Sequence, residues 1–321
     1  MIRFSIWLVL VLVMMISPFV GAVDINIKEL LNASSLDSTI FFELRLPRVL
    51  FAFEAGVILS LSGLLFQTLF RNALMTPYTL GISSGAVLGA GIAIKLGLST
   101  LLFGIAAISV FGFMGALLTV FLLLYLSQFL KSHQHESLLL LGIALSLFYT
   151  SALMIVFYLG NAMQNDTLIR FTMGSLSIIG WTYPLVLGIM AFILLATLFA
   201  YRFELQLLSI SEESAKLKGV NAKRVTLLLL VVSSLGIGTL VSISGPIGFI
   251  GLIVPHIVAK LYPVTVASRI LKSAIFGGLF LVMCDTITRA IATQSELPIG
   301  IVTAIIGAPF FIYLIISRST K

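Results

Sequence analysis

The sequence predicts an all-α polytopic membrane protein with about ten transmembrane helices, and three observations carry that prediction. Of 321 residues, 60% are hydrophobic and only 10% are charged, where a soluble domain carries about 25% charged residues. The mean hydropathy is +1.18. The apolar residues fall in unbroken runs near the roughly 20 residues that a bilayer span needs, and ten such spans would use about 200 residues. Barrel strands would instead alternate with period two. A soluble enzyme is excluded, because a globule of this size cannot hide so much apolar surface from water. All intervening polar segments are short, so residues 1–321 read as one transmembrane domain.

The runs are taken in order, at about 4–21, 48–69, 79–97, 101–130, 137–160, 181–201, 224–243, 247–261, 270–292 and 298–316. The first follows Arg3 and precedes Gly21-Ala22-Val23-Asp24, a pattern shared with signal peptides. Its length and Pro18 favour a retained span. The second carries Glu54, an ionisable residue inside an apolar run. The third opens with Gly81, Gly85 and Gly89, a stripe of small residues that lets two helix backbones approach closely in lipid. The fourth is long for one span and implies an interfacial extension or tilt. Before the fifth stands His133-Gln134-His135-Glu136, read as a solvated turn rather than a metal site. The eighth is short and flanked or interrupted by Pro246, Pro255 and several glycines, which predicts a broken segment. In the ninth, Asp285 and Arg289 lie four apart, share a helix face and can pair. Cys284, the single cysteine, has no internal disulfide partner and sits in an apolar run.

A net charge of +7 would suggest nucleic acid in a soluble protein. Here it reflects the bias of Lys and Arg toward cytoplasmic loops. With the N-terminus inside and ten spans alternating, 13 of the 19 basic residues fall inside. The densest cluster, in residues 202–224, makes that loop the firmest inside assignment. Within it Ser211 can cap a short helix with Glu212 and Glu213 in the first turn, Lys216 and Lys218 in the last, and Gly219 as its stop. Such an element can dock into a partner's groove. No Walker sequence, HExxH, CxxC or nucleophile elbow is present. If ATP powers transport, the ATPase is therefore another chain. Two membrane carboxylates, Glu54 and Asp285, make a thin relay for the competing class, a proton-coupled secondary transporter.

Several blocks then carry a family resemblance. They are Arg45-Leu46-Pro47-Arg48, Leu61-Ser62-Gly63, Phe66-Gln67, Arg71-Asn72-Ala73-Leu74 with Pro77, and Leu80-Gly81-Ile82-Ser83-Ser84-Gly85-Ala86. Later come Glu212-Glu213-Ser214-Ala215 with Gly219-Val220, the run from Gly245-Pro246 to Pro255-His256, Glu296-Leu297-Pro298-Ile299-Gly300, and Gly307-Ala308-Pro309-Phe310. In order and spacing, over essentially the whole chain, this resembles the FecCD-type permeases of bacterial ATP-binding-cassette (ABC) importers for iron-siderophores, haem and vitamin B12. Ala73 and Glu54 depart from the family's usual residues.

The resemblance implies a type II importer permease of ten spans in the bacterial inner membrane, both termini cytoplasmic, without a cofactor. It implies a second permease, either a copy or a sister subunit, two cytoplasmic ATP-binding subunits that hydrolyse the ATP, and an extracytoplasmic substrate-binding protein. It makes Arg45, Arg48 and Arg289 outward-facing, water-exposed charges that pair with glutamates on the binding protein. It makes Ser211, Glu212, Glu213, Ser214, Ala215, Lys216, Leu217, Gly219 and Val220 the element coupled to the ATPase, with Ala215 small enough for close contact. An inner gate falls at His135, Glu136 and Ser137. The commonest cargo in the family is a ferric siderophore, with haem and vitamin B12 as alternatives.

Overall fold

Proline lacks an N–H and its ring crowds the carbonyl four residues back, so an α-helix running through Pro47 is disfavoured. In the computed structural model the helix widens there. Ile40–Arg45 form a π-helical stretch in which the Leu46 N–H donates to Phe41 O, and α1 (Leu46–Leu69) continues from it with Pro47 in its first turn. The structure describes residues 11–319 apart from 22, 24, 31–34, 99–100, 103–104, 130–133, 263–264 and 292–295.

After α1 come α2 (Ile82–Lys95), α3 (Ala107–Ser127), α4 (Gln134–Leu159), α5 (Ala162–Met173), α6 (Thr182–Ala200), α7 (Arg202–Ile210), α8 (Glu212–Leu217), α9 (Ala222–Ser244), α10 (Ile250–Leu261), α11 (Val266–Ile291) and α12 (Ile299–Ser319). Six helical segments are long and apolar enough to cross a membrane: Leu36–Leu69, Ala107–Leu126, Ser137–Leu159, Thr182–Ala200, Ala222–Ser244 and Val266–Ile291. Ile82–Lys95, Ile250–Leu261 and Ile299–Tyr313 are shorter apolar helices. These nine stand where the sequence placed its second to tenth runs. Of the first run, residues 11–16 are helical.

Two local readings differ. The fourth run, read as a span with an interfacial extension or tilt, begins with extended backbone: Leu101–Leu102 and Ile105–Ala106 pair antiparallel, and α3 starts only at Ala107. The polar stretch 161–180 contains a helix, α5, started by a capping box. Gln164 N–H donates to Asn161 Oδ1 at 2.8 Å, and Asn161 N–H donates to Gln164 Oε1 at 3.2 Å.

Helix α1 is the centre of the bundle. Its most apolar window is 83% buried, against 17% for that of α4. Close packing around it depends on missing side chains. Gly56 lies against the backbone of Gly277 and Gly278 on α11, and Gly63 against Gly251 on α10. Gly85 and Gly89 on α2 face Gly115, Phe111 and Gly112 on α3 in the same way. Gly81 is not part of that contact. With φ of +77° it closes the 3₁₀ turn Pro77–Leu80 ahead of α2, and it faces α4 at Gly142 and Ser146.

The broken segment lies between α9 and α10. Gly245 has φ +69° and ψ −177°, a region open essentially to glycine alone. Phe249, with φ +67°, starts α10. Non-helical backbone at membrane depth needs polar partners from the protein. Tyr78 supplies them: its hydroxyl donates to Ile247 O at 2.5 Å and accepts from Ile247 N–H at 2.7 Å. Nearby, Ser175 N–H donates to Ser244 O at 2.7 Å and Ile299 N–H to Gly174 O at 3.2 Å. The C-terminal end of α9, the residues after α5 and the start of α12 thus meet at one end of the bundle, beside Arg48. The 23 residues of α9 span roughly 35 Å and carry residues 202–221 to the opposite end.

Candidate functional site

At the first end, the π-turn and α1 present Arg45 and Arg48, and the last turn of α11 presents Arg289. All three are buried, at 7%, 8% and 7% exposure. They are not the water-exposed charges that the resemblance implied. A guanidinium at the edge of the apolar region is stable only if its donors are satisfied and its charge is matched, and the structure does both. Asp285, with no exposed surface, sits between two of them. Its Oδ1 accepts from Arg48 Nε and Nη2 at 3.0 and 2.9 Å, and its Oδ2 from Arg289 Nε at 2.9 Å. The pairing of Asp285 with Arg289 was legible in their spacing. The share taken by Arg48, 237 residues away, was not.

The remaining donors hold the chain that leads out of the first run. Arg289 Nη1 donates to Ser17 O and Val20 O at 2.9 and 2.7 Å, and its Nη2 to Ser17 Oγ at 2.6 Å. Arg45 Nη1 donates to Phe19 O at 3.0 Å and Pro18 O at 3.3 Å, and its Nη2 donates to Val23 O. Ser17, Pro18, Phe19, Val20 and Val23 are therefore strapped to the bundle by two buried cations.

Glu296 completes the cluster from the loop before α12. Its Oε1 lies 2.7 Å from Arg48 Nη1, and its Oε2 accepts from the Ser177 hydroxyl. Burial pushes its carboxyl up, but the Ser177 hydroxyl, the Arg48 guanidinium and the more distant Arg289 together hold it below its ordinary value. Sequence reasoning assigned no role to Glu296, Ser177 or Tyr78. The signal for Glu296 was charge balance: three arginines at one end require more than one acid.

At the opposite end, α8 is built as its sequence suggests. Ser211 Oγ accepts from Ser214 N–H at 2.9 Å, and Glu212 and Glu213 occupy the first turn. At the C-terminus Gly219 N–H donates to Lys216 O at 2.9 Å and Val220 N–H to Ala215 O at 3.0 Å. With Gly219 at φ +78°, this is a Schellman stop. Ala215 is fully buried, and α8 packs on α7 and α9, so Ala215 is part of the loop's own core and not the contact residue expected of it. Leu217 projects instead, at 88% exposure, with Ile210 and Phe203 also exposed on the preceding helix.

Two other expected positions are placed as follows. His135 and Glu136 lie in the first turn of α4 with side chains outside the described ones, and Ser137 beside them is half-buried. Glu54 points from α1 toward Gly188 of α6, where the absent side chain leaves it room. Its Oε2 is buried and has no hydrogen-bond partner among the described residues.

Comparison with known proteins agrees with this architecture. The FecCD transport family model matches residues 9–317. The haemin transport permease HmuU of Yersinia pestis is 34% identical over 316 residues, covering 97% of this chain and 94% of that protein. The molybdate import permease MolB of Haemophilus influenzae is 30% identical over 324 residues, with coverage of 97% and 94%. A solved inward-facing ABC transporter of metal-chelate type superposes with a TM-score of 0.87 at 29% identity, over 98% of this chain and 99% of that one. Matched along nearly its whole length, the chain belongs to the FecCD transport family and is an ABC importer permease.

Proposed function

We propose that the chain moves a metal chelate, most simply a ferric siderophore, inward across the bacterial cytoplasmic membrane, driven by separate ATP-binding subunits. Both termini are cytoplasmic, a second permease subunit completes the pathway, and a substrate-binding protein delivers the cargo at the arginine end. The haemin relative and the metal-chelate structure support the cargo class. The molybdate relative shows that this fold also serves an oxyanion. The excess of Lys and Arg in residues 202–224 supports a cytoplasmic position for that loop. His135, Glu136 and Ser137, at the start of α4, form the inner gate.

The observation that carries the reading is α8. It is a six-residue helix, capped at both ends, seated on α7 and α9 through Ala215, and it turns the apolar Leu217 outward. A rigid, exposed element of this kind can fill a groove in a soluble ATPase and transmit its closure as a rigid-body push. Ser211, Ser214 and Gly219 shape it, Ala215 anchors it, and Leu217 contacts the partner with Glu212, Glu213, Lys216 and Val220 around it.

Leu217→Asp is expected to leave insertion in the membrane intact, because the side chain is in water. It should abolish co-purification of the ATPase, since an unpaired charge in the filled groove costs several kcal/mol. Gly219→Val should act similarly by misdirecting the exit from α8. Normal ATPase association and normal uptake in Leu217→Asp would contradict the assignment of this element.

A further inference from the structure

Arg48 is held from two sides that differ in kind. On the inner side Nε and Nη2 are committed to Asp285, which has no exposed surface. On the outer side Nη1 donates to Glu296 Oε1 at 2.7 Å and to Ser177 Oγ at 3.2 Å. The Glu296 side chain is 51% exposed, that of Arg48 only 10%. Glu296 therefore lies between the guanidinium edge and water. Beside it is a cavity of about 220 Å³ lined by Arg48, Arg170, Ser175, Ser177, Glu296 and Pro298. Arg170 is exposed and bonded to Asp166 Oδ2 at 2.9 Å, which gives the cavity a second cation.

The two acids around Arg48 cannot be exchanged equally. Removing Asp285 would leave two buried cations without their carboxylate. Removing the Glu296 carboxylate leaves Arg48 half-paired, with two donors pointing at one place: Arg48 Nη1 and the Ser177 hydroxyl. A planar carboxylate accepts such a pair of hydrogen bonds. If an incoming carboxylate takes that place while Glu296 swings into water, Arg48 stays paired before and after. The exchange then involves little net desolvation, because the outgoing group was already half in solvent.

We propose that this pocket is a carboxylate-binding site which the chain fills with its own Glu296, and that an acidic side chain of the docking protein enters by displacing Glu296 from Arg48 and Ser177. The inference rests on the docking end assigned above and adds to it an internal competitor. It also accounts for a buried arginine at a docking face: the cation becomes reachable only by exchange.

The test uses the full chain in lipid nanodiscs and a hexaglutamate peptide as probe. Glu296→Gln keeps the shape and removes the competing charge. It should bind the probe at least tenfold more tightly than the wild type, and the gain should shrink at high salt. Ser177→Ala removes a donor that Glu296 and the probe share, so added to Glu296→Gln it should take back a few fold of the gain. Probe affinity in Glu296→Gln unchanged from wild type, or a gain that the added Ser177→Ala leaves intact, overturns the proposal. That result is separable from failure of the importer reading, which would appear as absent ATP-driven uptake by the wild type, an assay the peptide does not enter.

Discussion

Asp285→Asn is expected to lower the unfolding free energy of the chain by about 3–5 kcal/mol, the usual cost of breaking a buried ion pair from one side. Asp285 is the shared counter-ion of Arg48 and Arg289 and has no contact with water. An amide of the same shape can still accept a hydrogen bond, but it leaves Arg289 without its carboxylate and Arg48 with Glu296 alone. Arg289→Gln should also destabilise, because it releases Ser17 and Val20 as well as Asp285. The double variant should be less damaged than the two losses added together, by on the order of 1–3 kcal/mol. Unfolding titrations of the four proteins in one detergent measure this. Strict additivity, or a loss under about 1 kcal/mol for Asp285→Asn, would mean that the network does not hold this end of the bundle.

Gly63→Leu is expected to damage the opposite kind of contact, one made of backbone alone. A side chain at residue 63 would start inside the space of the Gly251 carbonyl group, 2.6 Å from its Cα. Helix α10 cannot simply retreat. Gln67 Nε2 donates to Gly251 O at 2.9 Å, and the segment before α10 is held by Tyr78. Overpacking of this kind costs typically 1–3 kcal/mol and occasionally more, and rigid backbone on both sides puts Gly63→Leu at the upper end. Gly63→Ala should show a smaller loss of the same sign. Thermal unfolding in detergent, with Gly248→Ala as a control at an uncrowded glycine whose φ is not positive, reads the difference; equal melting of Gly63→Leu and wild type would contradict the packing.

The positions of the helices along the chain were legible because membrane depth is written in composition. Apolar runs marked the spans, Pro246 and the glycines marked the break before α10, and four-residue spacing marked Asp285 with Arg289. Orientation about each helix axis was not legible. Lipid and protein core are equally apolar, so a membrane helix need not carry a polar face that tells buried from exposed. Helices α1 and α4 read alike in sequence, yet one is the buried centre and the other lies at the periphery. The same blindness misplaced Ala215, whose inward position depends on how α8 rests on α7 and α9. It also made Arg45 and Arg48 look like surface charges, because the carbonyls of Pro18, Phe19 and Val23 and the acids Asp285 and Glu296 reach them only through the fold. Helix α5 was missed for a different reason: its capping box of Asn161 and Gln164 stands in a polar stretch without an apolar run to draw attention to it.

We propose that this chain forms an ATP-driven inward path for a metal chelate. It is tested most directly in proteoliposomes containing the chain with its ATPase, with a ferric siderophore and its soluble binding protein presented at the arginine end. The expected result is accumulation of the iron complex that requires ATP on the α8 side and survives a protonophore. Accumulation that proceeds without ATP and collapses with the proton gradient would contradict it.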